Sequence, residues 1–168
     1  MCSSDLNNLA LLTDSTGSFN NFTEKVSISA QFEKSLVSTT DMKYFIPAFR
    51  QINESFYLSG RVSGTISELR GRNILISYGD YSRLDCDFDI SGLPDINNSF
   101  IYLGVNVLNT NAKDLEKISF PENRKLELPE LLLKLGNISF DGSFTGFITD
   151  FVTYGHFRSD FGTITTDL

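Results

Sequence analysis

The chain has 168 residues, a formal net charge of −7 and 40% hydrophobic content, enough apolar material for one core and without the bias of a disordered segment. The acidic balance and the lack of a Lys/Arg cluster count against a nucleic-acid or anionic-membrane surface, because either partner needs a basic patch. With 15 Phe, 12 Gly, 4 Pro and no Trp, strands are favoured over helices, since aromatic rings fill a pleated surface and glycine marks its bends.

The opening MCSSDL is set apart: CSSDL looks like the translation of a sequencing adapter, and residues 1–6 are excluded from fold reasoning. A lipidated Cys2 would need an apolar segment upstream of it. Residues 7–23 are polar and mixed. Residues 24–34 then alternate, with Val26, Ile28, Ala30 and Phe32 on one face, and predict a first strand. Residues 38–49, STTDMKYFIPAF, predict a short helix from their Ser/Thr cap, first-turn acid and late Pro47.

The stretch 55–71, SFYLSGRVSGTISELRG, organises the rest. Phe56, Leu58, Gly60, Val62, Gly64 and Ile66 occupy its even positions, a period of two that predicts one long strand with an apolar face. Gly60 and Gly64 fall on that face, where a missing side chain lets a sheet bend or another chain approach, so the face is expected to be concave. A turn over 68–72 leads to a strand over 73–78 with Ile74 and Ile76 inward. Gly79-Asp80 closes a hairpin into 81–91, whose apolar side is Leu84, Cys86, Phe88 and Ile90. After the turn-rich loop 92–98, residues 99–109 alternate with Ile101, Leu103, Val105 and Val107 inward.

The order then repeats. NAKDLEKISFP (111–121) resembles TTDMKYFIP in cap, acid and terminal Pro, and a further short helix is expected over 129–135 between Pro129 and Gly136. NISFDGSFTGFITDF (137–151) places Ile138, Phe140, Gly142, Phe144, Gly146 and Ile148 where the first long strand has its even positions. It leads through Phe151, Thr153, Gly155 and Phe157 to a turn at 159–162. Two copies of one strand pattern imply a repeat of about eighty residues, with units near 24–109 and 110–168, the second cut off partway.

No constellation carries catalysis. Asp85, Asp87 and Asp89 lack the glycine that a calcium loop needs at its sixth position, where Ile90 stands, and read as the wet face of a strand. His156, the single histidine, has no nucleophile elbow to serve and reads as a surface residue. Two cysteines, Cys2 and Cys86, are too few for a disulfide scaffold or a metal site, and Cys86 reads as a small buried hydrophobe. There is no phosphate loop, dinucleotide fingerprint or CxxC pair, so no cofactor, no metal and no enzymatic activity are expected. Four glycosylation-like Asn-x-Ser/Thr matches in an Asn-rich chain carry no weight.

Roughly two short helices cannot roof about six or seven strands, so the sheet must fold over itself or leave a groove. The residues alone favour a closed sandwich or barrel, as in a binding or adhesin module, with the open groove as the alternative. The ordered set VSGT, LRG, SGLPDI, GSFTGFITDFV and GTITTDL, spread over 26–168, resembles the TamB family, the translocation and assembly module of Gram-negative envelopes, in its Bacteroidetes-like branch and with its AsmA-like relatives. The resemblance implies an all-β fold, a curved antiparallel trough with about two or three short helices and a hydrophobic interior. It implies an inner-membrane-anchored periplasmic protein that bridges the two membranes in phospholipid transport or outer-membrane protein assembly and secretion. Phospholipid acyl chains and a BamA/TamA-like barrel protein are the implied partners, the anchor and the barrel contact lying outside this segment. On that reading Phe56, Leu58, Val62, Ile66, Phe140, Phe144 and Ile148 line the lipid path.

Overall fold

The computed structural model describes residues 6–12, 26–42, 54–118 and 134–167. They build one antiparallel meander in which spatial order follows chain order. The strands are β1 (Leu6–Leu12), β2 (Ser27–Ser38), β3 (Ser55–Gly64), β4 (Glu68–Tyr78), β5 (Ser82–Ser91), β6 (Phe100–Asn111), β7 (Asn137–Phe147), β8 (Asp150–Ser159) and β9 (Gly162–Asp167). The sheet stays open, with β1 and β9 at its edges. Among the described residues helical structure is slight: Thr39–Met42, Ala112–Leu115 and the 3-10 turn Ile96–Asn98.

The chain is all-β, as the alternation predicts, and several boundaries move. A strand, β1, precedes the expected first one, in a stretch whose Leu and Asn residues do not alternate. The long strand expected over 55–71 is two strands. Gly64, at φ +112°, ends β3, and the Thr65 hydroxyl accepts the Glu68 N–H at 3.1 Å and meets the Ser67 hydroxyl at 3.0 Å, so the chain reverses at 65–67 instead of 68–72. The stretch 137–151 divides in the same way into β7 and β8, around Ile148-Thr149. Of the helix expected over 38–49, the described part is Thr39–Met42. The helix over 129–135 falls mainly outside the described residues. Asn111 caps Ala112–Leu115, its side chain accepting the Asp114 N–H at 2.9 Å, as the cap reading requires.

The element order strand, four-residue helix, strand, strand, strand occurs twice, as β2 to β5 and as β6 to β9. One apolar cluster lies on one face, centred on Leu58, Ile74, Cys86 and Val105, each at most 7% exposed, with Phe56, Val62, Phe88 and Phe140 among the side chains packed around it. Full burial of one such aliphatic side chain is worth about 1.5–3 kcal/mol, so this single layer is where the described sheet draws its stability.

Candidate functional site

Cross-strand register assembles the apolar face into rows. One runs Leu58–Ile76–Leu84–Leu108–Phe140–Phe157, and a parallel one runs Val62–Gly71–Phe88–Leu103–Phe144. Between them lie Cys86, Val105, Gly142 and Gly155, paired in that order, with Gly60 backing onto Ile74 at the other end. The rows bring Leu58, Val62, Phe140 and Phe144 onto this face, because antiparallel partners always share a face, and Phe56 packs against the same cluster, so five of the seven residues predicted to line a lipid path meet here.

The other two do not join them. Ile66 sits in the bend between β3 and β4, and Ile148 in the turn between β7 and β8, where it is 44% exposed. Both keep the phase of the preceding strand in sequence, which is why alternation alone extended the strand through them. Val107 is a third correction. It pairs with Asp85 while Val105 pairs with Cys86, so the extra residue Asn106 bulges and reverses the phase. Val107 faces out, 39% exposed, and Leu108 takes the inward place.

Bulges of this kind recur at one level of the sheet. Extra residues fall after Phe32 in β2, between Gly71 and Ile74 in β4, where both neighbouring pairings shift, and between Val105 and Leu108 in β6. Lys34 and Asn73, at φ +44° and +52°, occupy two of them. The glycines on this line leave room that the sheet's own rings take. A Cβ at Gly142 would come within 2.9 Å of the Phe140 ring and one at Gly155 within 3.0 Å, while one at Gly71 would overlap the Phe88 ring.

The opposite face is polar where it backs this cluster. Arg72 grips both Asp89 oxygens, at 2.8 and 2.9 Å, Asp87 accepts the Asn73 N–H at 2.6 Å, and Asp85 accepts from the Asn106 amide at 3.1 Å. The three acids therefore work as partners along a wet strand face. Asp141 bridges Arg158 and His156, and those two hold its carboxyl below the usual carboxylate range. Two shallow depressions, of ≈ 260 and ≈ 270 Å³, flank Arg72, and neither gathers a catalytic set.

Asp114 and Cys86 are the buried titratable groups among the described residues. Asp114, 1% exposed, reaches from its short helix to the β4–β5 turn and accepts the N–H groups of Asp80, Tyr81 and Ser82 at 3.1, 2.8 and 2.7 Å. Burial pushes this carboxyl up, but those donors outweigh it and hold the group well below the usual range. The sequence marked Asp114 only as a first-turn acid, and nothing in its local pattern points to a turn so far back in the chain. Cys86, 2% exposed, has its thiol pushed up to about 11 by burial and by the neighbouring Asp87 and Asp85, which makes it a packing group instead of a nucleophile.

Comparison with known proteins adds no name: no family model, no curated protein and no solved structure matches the chain. Among the described residues no helix is long and apolar enough to cross a membrane, and no three His, Cys, Asp or Glu side chains are grouped as a metal site would need. What the described residues form is an apolar surface several strands wide.

Proposed function

We propose that this chain is a segment of a periplasm-spanning envelope protein of the TamB kind, and that its apolar sheet face guides phospholipid acyl chains between the membranes. The same reading admits passage of nascent outer-membrane proteins, with the inner-membrane anchor and the contact to a BamA/TamA-like barrel outside the segment. The observation that carries it is the single-layer apolar face. Phe56, Val62, Phe140 and Phe144 lie on an open sheet and are only half-buried, with no second sheet over them among the described residues. Apolar surface left in water costs about 25 cal/mol per Å², so a face of this width calls for a cover, and in an envelope bridge the abundant cover is lipid. The curvature that a trough requires would come from the bulges and from the inward glycines at 60, 64, 142 and 146, all at positive φ. A closed sandwich, the rival reading, requires a second layer that the meander of described strands does not supply.

The test is charge placement in the full-length protein. Val62→Glu and Phe144→Glu should stop lipid transport at normal protein levels, because an unpaired charge then sits in the hydrocarbon path. Arg61→Glu and Ser143→Glu, on the outward face, should transport normally. Unimpaired transport by both inward variants would overturn the proposal.

A further inference from the structure

We infer that the outward face of β5–β8 is a docking surface for a basic, amphipathic polypeptide segment. This face lies opposite the apolar cluster, yet it is not uniformly polar. Phe100 and Tyr102 of β6, Phe147 of β7 and Tyr154 of β8 project from it, each 40–52% exposed, with the Phe100 and Phe147 rings edge to face at 5.5 Å. Tyr102 pairs with Asp89 and Thr145, and Tyr154 is paired in both β7 and β9, so each stands between described strands and its exposure is not that of a sheet edge. Part-exposed aromatic rings on a strand face are the residue type in which protein–protein contacts are enriched. Gly104 lies among them, two residues along β6 from Tyr102. Unlike Gly71 or Gly142, it is required neither by crowding nor by a positive φ: a Cβ there would meet the Tyr102 hydroxyl at 3.5 Å and nothing closer, an ordinary contact. A glycine inside a strand costs about 0.5–1 kcal/mol relative to alanine. What this one provides is a bare floor beside the Tyr102 ring, where another chain can come close.

Charge selects the occupant. Asp87 pairs with Gly104 and Asp85 with Val107, which sets both carboxylates along the β5 border of the aromatic group. Each uses Oδ1 on a neutral donor, the Asn73 N–H for Asp87 and the Asn106 amide for Asp85, and among the described residues neither forms an ion pair. Their neighbour Asp89, by contrast, is held by Arg72, and Arg158 is held by Asp141. Exposed rings beside carboxylates without a cation favour lysine or arginine on the partner, through ion pairs and through cation–π contact with the two tyrosines. A second copy of this chain, at a net charge of −7, and an anionic lipid surface both meet repulsion there. Lipid carried on the other face leaves this surface free, so the two roles are separable.

Fluorescence anisotropy with the whole chain and a labelled peptide of alternating Lys and Phe is the test. Saturable binding is expected, weakening as salt rises, while the same peptide with Glu in place of Lys should not bind. Tyr102→Ala should weaken binding at least about fivefold. Asp85→Asn combined with Asp87→Asn should weaken it at least about threefold. Gly104→Lys, which adds a side chain where neighbours and backbone accept one, should abolish binding with the circular dichroism spectrum unchanged. Tyr57→Ala, exposed on the outward face of β3, should bind as the wild type does. No saturable binding, equal binding of the Lys and Glu peptides, binding indifferent to Tyr102→Ala and Gly104→Lys, or binding of maltoheptaose or chitotetraose with none of the peptide would each overturn the inference.

Discussion

Strands β2 to β7 and the β8–β9 hairpin are written in the same alternation, but they bury different amounts of it. The buried apolar residues Ala30, Leu58, Ile74, Cys86, Val105 and Ile138 all belong to the first region. The hairpin carries Phe151, Tyr154, Phe161 and Ile164, each more than half exposed. Two physical differences separate the regions. Among the described strands β9 has a neighbour on one side only, although β8, which carries Phe151 and Tyr154, has two. In addition, strand pairs within the first region carry bulges, which raise local twist and tilt side chains onto one another, while β7–β8 and β8–β9 are regular. Apolar pattern alone therefore does not decide burial: the regularly paired strands leave more of it exposed than the bulged ones.

The comparison is broken most strongly by one truncation in each region. Ile74→Ala, at 3% exposure, should cost about 2–5 kcal/mol in urea unfolding, and Ile164→Ala, at 61%, less than about 0.5 kcal/mol. Similar losses at the two sites would mean that the hairpin is packed against something and that the regions do not differ.

Asp114 comes next. Replacing it with Asn removes the charge from three backbone donors and should cost on the order of 2–3 kcal/mol at pH 7. Because its folded pKa is depressed, its contribution is fully present above the unfolded value near ~4 and is lost as pH falls through the folded value. The stability gap between wild type and Asp114→Asn should therefore hold from pH 7 to about 5 and narrow on further acidification. A gap that widens toward low pH would show the sign to be wrong.

Glycine substitutions sharpen the contrast. Gly142 and Gly162 both have positive φ, at +154° and +145°, but a Cβ at Gly142 would overlap the Tyr154 carbonyl and one at Gly162 would meet nothing within 4 Å. Gly142→Ala should cost about 1–3 kcal/mol more than Gly162→Ala, since only the first adds a backbone collision to the conformational strain. Cys86 gives the smallest perturbation, because it needs no substitution. With its thiol at about 11 and buried, it should resist thiol reagents at pH 8 in the folded chain and react promptly in urea.

Much of the fold was legible because a half-buried strand writes its faces into every second residue. Ile74, Ile76, Leu84, Cys86 and Phe88 were placed correctly on that ground. What alternation cannot register is an inserted or reversed residue. The turns at Ile66 and Ile148 preserve phase and so hid two hairpins, while Asn106 breaks phase and exchanged Val107 for Leu108. β1 was missed because Leu6 was set aside with the opening residues and the remainder does not alternate. Five of the seven residues proposed to line the lipid path share a face, and the two that do not are the turn isoleucines. The Asp114 contact to the β4–β5 turn was illegible because it is made across the fold and leaves no local spacing.

The central claim, an apolar face whose cover is lipid, is tested most directly by site-specific photocrosslinking in intact cells carrying the full-length protein. A crosslinking residue at Phe56, Val62, Phe140 or Phe144 should yield phospholipid adducts, and one at Tyr57, Arg61 or Ser143 should not. Adducts from neither set, or from both equally, would contradict it.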